Sequence, residues 1–437
     1  MICVSTRGQA PAVSLREAVL AGLAPDGGLY VPETIPRMPE SWWSALRGKS
    51  FHDISIAMAL ALAGDEFDHA TLTNLVRDAL NFPVRIVELE PGLGVLELFH
   101  GPTFAFKDFG ARTLARLLAL SERPVATSNG PRVEGMVEPI TILVATSGDT
   151  GSAVANAFFG VAGTRVVVLY PEGKVSDVQE AQFTTLGGNV TAVAVAGTFD
   201  DCQRLAKEAF ADSSLQSRLR LTSANSISLG RLLPQTFYYA YAALHAPADK
   251  PLTISVPSGN FGNLVAGVMA WKMGAPIHAF AAPTTINDTV PRYFVTGRVE
   301  SRPSVQTLAN AMDVGNPSNL ERLQWLFNND LPSMKAVITT SAHTDNEVRA
   351  AIKMLFDKHQ YVADPHTAIG FLGSQVSLSS PASRVFLSTA HPAKFREVVE
   401  PVIGKPVPLP DALAATLARK KVVHRIKASL ADLSTLL

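Results

Sequence analysis

Cysteine is almost missing: Cys3 and Cys202 are the only two in 437 residues. Two thiols so far apart cannot build a disulfide scaffold, and no Cys/His spacing resembles a zinc site. A reducing, cytoplasmic setting without a metal is therefore expected. Charge is scarce as well. Charged residues are 17% of the chain against 47% hydrophobic, and mean hydropathy is +0.17, the profile of a well-buried protein with little surface given to charge. Lys plus Arg and Asp plus Glu are both 38. With no basic excess, neither nucleic acid nor an anionic membrane is an expected partner. The balance does little to oppose self-association, so a monomer or a homodimer is expected. Long apolar runs are absent too. Ala57–Ala63 is among the longest, well short of the roughly 18 residues a membrane span needs. The N-terminus carries Arg7 and Arg16 with no continuous apolar segment between them, so no secretory signal is expected.

What is present begins with length, which exceeds one compact domain and predicts two or three folding units. Residues 1–80 read as a separate, mostly helical section. Helices are predicted at Ser14–Leu23, stopped by the turn Pro25-Asp26-Gly27-Gly28, and at Ile54–Leu62 and Thr71–Leu80. Residues 81–421 read as the core. It opens with the strand-like pieces VRIVEL and GVLELFH, and its Pro-, Gly- and Ser-containing stretch 121–139 reads as an exposed loop. Strands are predicted at Ile140–Ala145, Arg165–Tyr170, Val190–Val195, Leu252–Val256, Ile277–Ala282 and Arg384–Ser388. Helical patterns fall at 151–160, 176–186, 200–211, 229–244, 262–273 and 345–358. Short apolar strands alternating with helices argue for βαβ units and buried parallel sheets, an α/β fold. The stretch 283–340 has few strand-like runs and reads as an elaboration. The tail 422–437, basic and then apolar, is predicted to dock as a helix.

The chemistry collects at turns. In FHGPTFAFKDFG, residues 99–110, Lys107 follows Gly101 and Pro102 and sits among Phe104, Phe106 and Phe109. Gly110, Thr113, Leu114, Leu117 and Leu118 then repeat with helical spacing, so a helix begins near the lysine. Desolvation there disfavours the ammonium form, and a neutral amine attacks carbonyls. The plainer reading is a surface lysine whose stem covers apolar neighbours.

Four strand-end turns bear on the choice. Thr146 to Ser152 (TSGDTGS) and Ser255 to Asn263 (SVPSGNFGN) each follow a strand and open a helix, where backbone N–H groups can hold an anion. The second lacks the full GxGxxG of a dinucleotide site, which points to a mononucleotide-sized phosphate. Ser388 to Phe395 (STAHPAKF) offers hydroxyls for a ligand's ring nitrogen; His391 and Lys394 could react, but both stay outside the catalytic set. Ser223 to Arg231 (SANSISLGR) sets small polar groups before an arginine, which suits a phosphate or a carboxylate. For each, a capped or ordinary turn is the plain alternative.

Together with STRGQAP, LAPDGGLYVP, AMDVGNPSN and DPHTAIG, these motifs resemble the threonine synthase family over nearly the whole length. Members are pyridoxal-phosphate (PLP) enzymes of fold type II, the tryptophan-synthase-β-like fold. The resemblance implies two open α/β sheet domains behind an N-terminal mostly helical domain. It implies that Lys107 is the catalytic Schiff-base lysine, that Gly259, Asn260, Phe261, Gly262 and Asn263 cradle the cofactor phosphate, and that Thr389 meets the ring nitrogen. Asp149 stands where more distant members have Asn beside the 3′ oxygen, so it is expected to be protonated or to share the phenolic proton. Thr150, Ser226 and Arg231 resemble the pocket for a substrate phosphate. The implied reaction converts O-phospho-L-homoserine and water to L-threonine and phosphate. Two alternatives stand beside it: a related dehydratase or phospho-lyase giving 2-oxobutyrate, and a non-catalytic PLP-binding homologue.

Overall fold

The computed structural model of the chain describes residues 1–121, 139–376 and 383–437. Apart from its two ends, the loop expected at 121–139 lies outside them. Three short strands come first, β1 (Ile2–Ser5), β2 (Val13–Ser14) and β3 (Tyr30–Pro32), in an antiparallel sheet of order β2-β1-β3. The rest are β4 (Arg85–Glu90), β5 (Leu93–Glu97), β6 (Ile140–Ala145), β7 (Thr164–Pro171), β8 (Val190–Ala196), β9 (Arg220–Ser223), β10 (Leu252–Ser255), β11 (Ala279–Thr284), β12 (Ile338–Ala342), β13 (Ser383–Ser388) and β14 (His424–Lys427).

They make two open sheets. One is six-stranded, β12-β11-β10-β13-β5-β4, parallel except for the edge strand β4. The other is five-stranded and wholly parallel, β14-β8-β7-β6-β9. Central strands such as β5, β6, β10 and β11 are buried along their whole length, because helices cover both faces and no face needs polar residues. This is the α/β architecture expected. No helix among the described residues is long and apolar enough to cross a membrane.

Three local expectations change. The front section has its helices at Leu15–Ala21, Glu40–Leu46, Phe51–Ala63 and His69–Ala79, but also the small sheet, whose strands of two to four residues are too short to carry a clear period. The helix predicted over 229–244 is split, Leu229–Leu232 and Thr236–His245, by a 3₁₀ turn at Leu233–Gln235 that holds Pro234. The tail is not simply a docking helix. Its residues His424–Lys427 pair with β8 and widen the sheet, and only Leu430–Ser434 is helical.

Candidate active site

The loop ahead of Lys107 is tied to the end of β13. Phe106 N–H donates to Thr389 O at 2.8 Å, His391 N–H donates to Phe104 O at 3.0 Å, and Ala105 bridges Ala390. Phe104 adopts φ 58°, a strained conformation for an aromatic residue that persists only where neighbours impose it. The pairing sets Lys107, first residue of the helix Lys107–Ser121, in the same cleft as Thr389. The cleft spans about 1000 Å³ when the space open to solvent is counted. Asp149, Thr150, Ser226, Arg231, Gly259, Asn260, Phe261, Gly262 and Asn263 line it as well, so the residues assigned a role from the sequence meet there, while His391 and Lys394 do not line it.

Lys107 is largely desolvated, and burial pushes its amine down to about 8 against the raising pull of Asp149. Its Nζ lies 4.0 Å from Asp149 Oδ2. A closer cation holds the other oxygen: Lys394 Nζ is 2.6 Å from Asp149 Oδ1, and Gln179 Nε2 donates to the same atom at 2.9 Å. In the ligand-free protein this sets Asp149 against the expectation of a protonated carboxyl. Burial alone would raise its carboxyl, but the charges of Lys394 and Lys107 outweigh burial and hold it far below the usual carboxylate range. Because Lys394 is the nearer partner, Asp149 can stay ionised while Lys107 is a neutral amine.

The cradle is built by backbone. Gly259 is packed so closely that a Cβ there would lie 2.6 Å from Met312 Cα. Phe261, at φ 61°, starts the helix Gly262–Lys272 with no side chain capping it, which leaves the first N–H groups for an anion. Asn263 is oriented from behind. Its Oδ1 accepts from Tyr238 OH (2.5 Å) and Tyr239 OH (2.7 Å), while its buried Nδ2 finds no partner among the described residues. A buried amide donor with no acceptor calls for a ligand atom. Asn260 differs: its side chain is spent between Ser226 Oγ (2.5 Å) and Ser318 N (2.6 Å), so only its backbone is free for the cradle. A second helix, Asp149–Phe158, also begins without a side-chain cap after Gly148 at φ 140°.

Arg231 lies nearly buried. Its Nη1 donates to Ala224 O at 2.7 Å and its Nε finds no partner among the described residues. Opposite, His366 Nε2 accepts from Ala311 N–H at 3.2 Å. A backbone N–H can only donate, so the ring proton sits on Nδ1, which faces Asp364 Oδ2 at 2.6 Å. His366 thereby fastens the segment carrying Ala311 and Met312 over the cleft. His391 packs edge-on against Phe99 and Phe104 and accepts from Ala393 N–H, and burial lowers it to about 4, so it is a neutral turn residue.

Lys394, Gln179, His366 and the two tyrosines were not among the sequence candidates. Signals existed for some: an acid at 149 without a neighbour to ionise it, a lysine left over in STAHPAKF, and the Asp-x-His of DPHTAIG.

The orphaned amide of Asn263, the glycine cradle and the depressed amine of Lys107 fit PLP in donor set and charge. Fold and site together define a PLP-dependent enzyme of fold type II, and residues 85–387 match the family described as pyridoxal-phosphate dependent enzyme. Residues 3–80 match the threonine synthase N terminus and residues 367–436 the threonine synthase C-terminal family. A threonine synthase of Serratia marcescens is 42% identical, covering 96% of this chain and 95% of that protein, and that of Escherichia coli is 40% identical, covering 97% and 96%. Among solved structures, Escherichia coli threonine synthase superposes with TM-score 0.92 at 39% identity, over 100% of this chain and 99% of that one. A PLP-bound threonine synthase from Brucella melitensis also gives 0.92, at 36% identity over 100% and 98%. The chain belongs to the threonine synthase family. It is a PLP-dependent lyase.

Proposed function

We propose that the protein converts O-phospho-L-homoserine and water to L-threonine and inorganic phosphate, in the cytoplasm, as a monomer or a homodimer. The observation that carries the substrate choice is Arg231. A nearly buried guanidinium with an unpaired Nε, sharing a cleft with Ser226 and Thr150, needs an anion beyond the cofactor's own phosphate. In this reading Lys107 holds the cofactor through its aldehyde, Gly259–Asn263 hold its phosphate, Thr389 its ring nitrogen and Asp149 its 3′ oxygen. When bound, the cofactor supplies a conjugated sink for negative charge at the substrate's carbons.

The chain's own residues do the remainder. Lys107, with its amine near 8, accepts and returns protons at substrate carbons. Thr389, being neutral, does not impose a protonated ring as a carboxylate would. Arg231, Ser226 and Thr150 hold the substrate phosphate and receive it as it leaves. The segment fastened by His366–Ala311 and Asn260–Ser318 keeps bulk water out.

The test is product analysis. Purified protein supplied with O-phospho-L-homoserine and PLP should release threonine and phosphate in equal amounts. An oxo-acid as the main product would assign it instead to the dehydratase or phospho-lyase reading.

A further inference from the structure

Lys394 is a lysine with no solvent exposure at all. A buried ammonium is costly unless it is paired and hydrogen-bonded, and both conditions are met. Nζ lies 2.6 Å from Asp149 Oδ1 and donates to Thr103 O at 2.9 Å. Thr103 is itself fixed, since its N–H and Oγ1 donate to Asp108 Oδ2 and Oδ1 at 2.8 and 2.6 Å. Gln179 gives Asp149 Oδ1 a second donor. One oxygen of Asp149 is thus saturated from behind, while Oδ2 faces Lys107. Lys394 is not itself in the lining of the cleft, so it acts through Asp149.

We propose that Lys394 is a positioning residue. As the nearer counter-ion of Asp149, it keeps that carboxylate charged without drawing a proton onto Lys107, and leaves Oδ2 as an anionic edge toward the reactive amine. Two cations share one anion, and the nearer cation is the one that does no chemistry. Were Lys394 absent, Lys107 would be the nearest cation to Asp149, and the carboxylate would favour its ammonium form. Arg231, from the helix Leu229–Leu232, and Asp364 with His366, from the head of the helix Pro365–Ser374, also face this pair. They remain unchanged across the comparison below.

The proposal rests on Lys107 being the residue that carries PLP, and the experiment separates the two. Full-length apoprotein is mixed with PLP from neutral to alkaline pH, fixed with borohydride, and the label located by peptide mass spectrometry. Absence of label on Lys107 in the wild type would remove the reading of Lys107 itself. With Lys107 labelled, the midpoint of labelling against pH is compared among variants. Lys394→Met should raise it by about one to three pH units. Adding Asp149→Asn in the same chain should cancel that rise, which loss of packing alone would not do. An unmoved midpoint in Lys394→Met, or a rise that persists in the double variant, overturns the proposal. Should Lys394→Met not fold, Asp149→Asn alone reads the same coupling from the other side, with a midpoint expected below wild type. An unchanged midpoint there overturns it equally.

Discussion

A lysine can be made reactive by removing water from it, but only if no carboxylate nearby claims its proton. At Lys107 burial lowers the amine from an ordinary 10.5 to about 8, despite an anion 4.0 Å away. The direction has a thermodynamic consequence. A lysine whose folded value is depressed binds fewer protons in the folded apoprotein than in the unfolded chain, between pH 8 and 10.5. The stability this group contributes is therefore present above that window and lost as pH falls through 8. Apoprotein unfolding free energy, followed by denaturant titration across this range, should rise with pH, and Lys107→Met should flatten the rise. A slope that survives the substitution would place the titration elsewhere. Lys107 was legible in the sequence as a reactive-amine candidate, because a turn, flanking aromatics and a helix start surround it. Its counter-ion arrangement was not. Asp149, Gln179 and Lys394 lie far apart in the chain, and charge compensation among them depends only on where the fold puts them.

At the scale of elements, catalysis is prepared by strand ends and helix starts. The turn after β10 delivers Gly259 to Asn263, the turn after β6 delivers Asp149 and Thr150, and the end of β13 delivers Thr389 while pairing with the loop ahead of Lys107. These parts were readable, since strands buried on both faces appear as apolar runs and the turns after them as glycine and hydroxyl clusters. The antiparallel sheet at the front, β12 and the tail strand β14 were not. Short or edge strands with mixed exposure carry little pattern, and β14 is a strand only because β8 offers it an edge. Close packing of the cradle gives a test. Alanine at 259 would set a methyl 2.6 Å from the Met312 backbone, which cannot turn aside as a side chain could. The Met312 segment must then shift from the cleft wall, and overpacking of this kind costs about 1–3 kcal/mol. Gly259→Ala should weaken PLP binding by roughly tenfold or more, read by absorbance titration of apoprotein. PLP affinity equal to wild type would mean the cradle is not where the phosphate sits.

Over the whole molecule, one buried cation joins the front section to the site. Arg322 has no solvent exposure and, among the described residues, no carboxylate bonded to its guanidinium. Nε and Nη2 donate to Tyr30 O in β3, Nη1 to Ser226 O and Asn319 Oδ1, and Nη2 also to Ile227 O. Burial lowers it to about 9, which still leaves it charged at neutral pH. Its neighbour Glu321 accepts from Thr6 Oγ1 and Arg7 Nε, so the turn after β1 grips the same helix, Leu320–Leu326. The arrangement makes the front section a wall for the turn that carries Ser226, linking β3 to that turn through one side chain. Arg322→Met keeps much of the volume but strands the carbonyls of Tyr30 and Ile227, each costing about 1–3 kcal/mol when left unsatisfied, and leaves Ser226 O with Asn319 Nδ2 alone. A loss of roughly 2–5 kcal/mol in unfolding free energy is expected from these unsatisfied acceptors. Because Ser226 is proposed to hold the substrate phosphate and Lys107 is untouched, KM for O-phospho-L-homoserine should rise severalfold while kcat changes less. A variant that loses stability but keeps its KM would show Arg322 to be a structural tie alone, with no hold on the substrate turn.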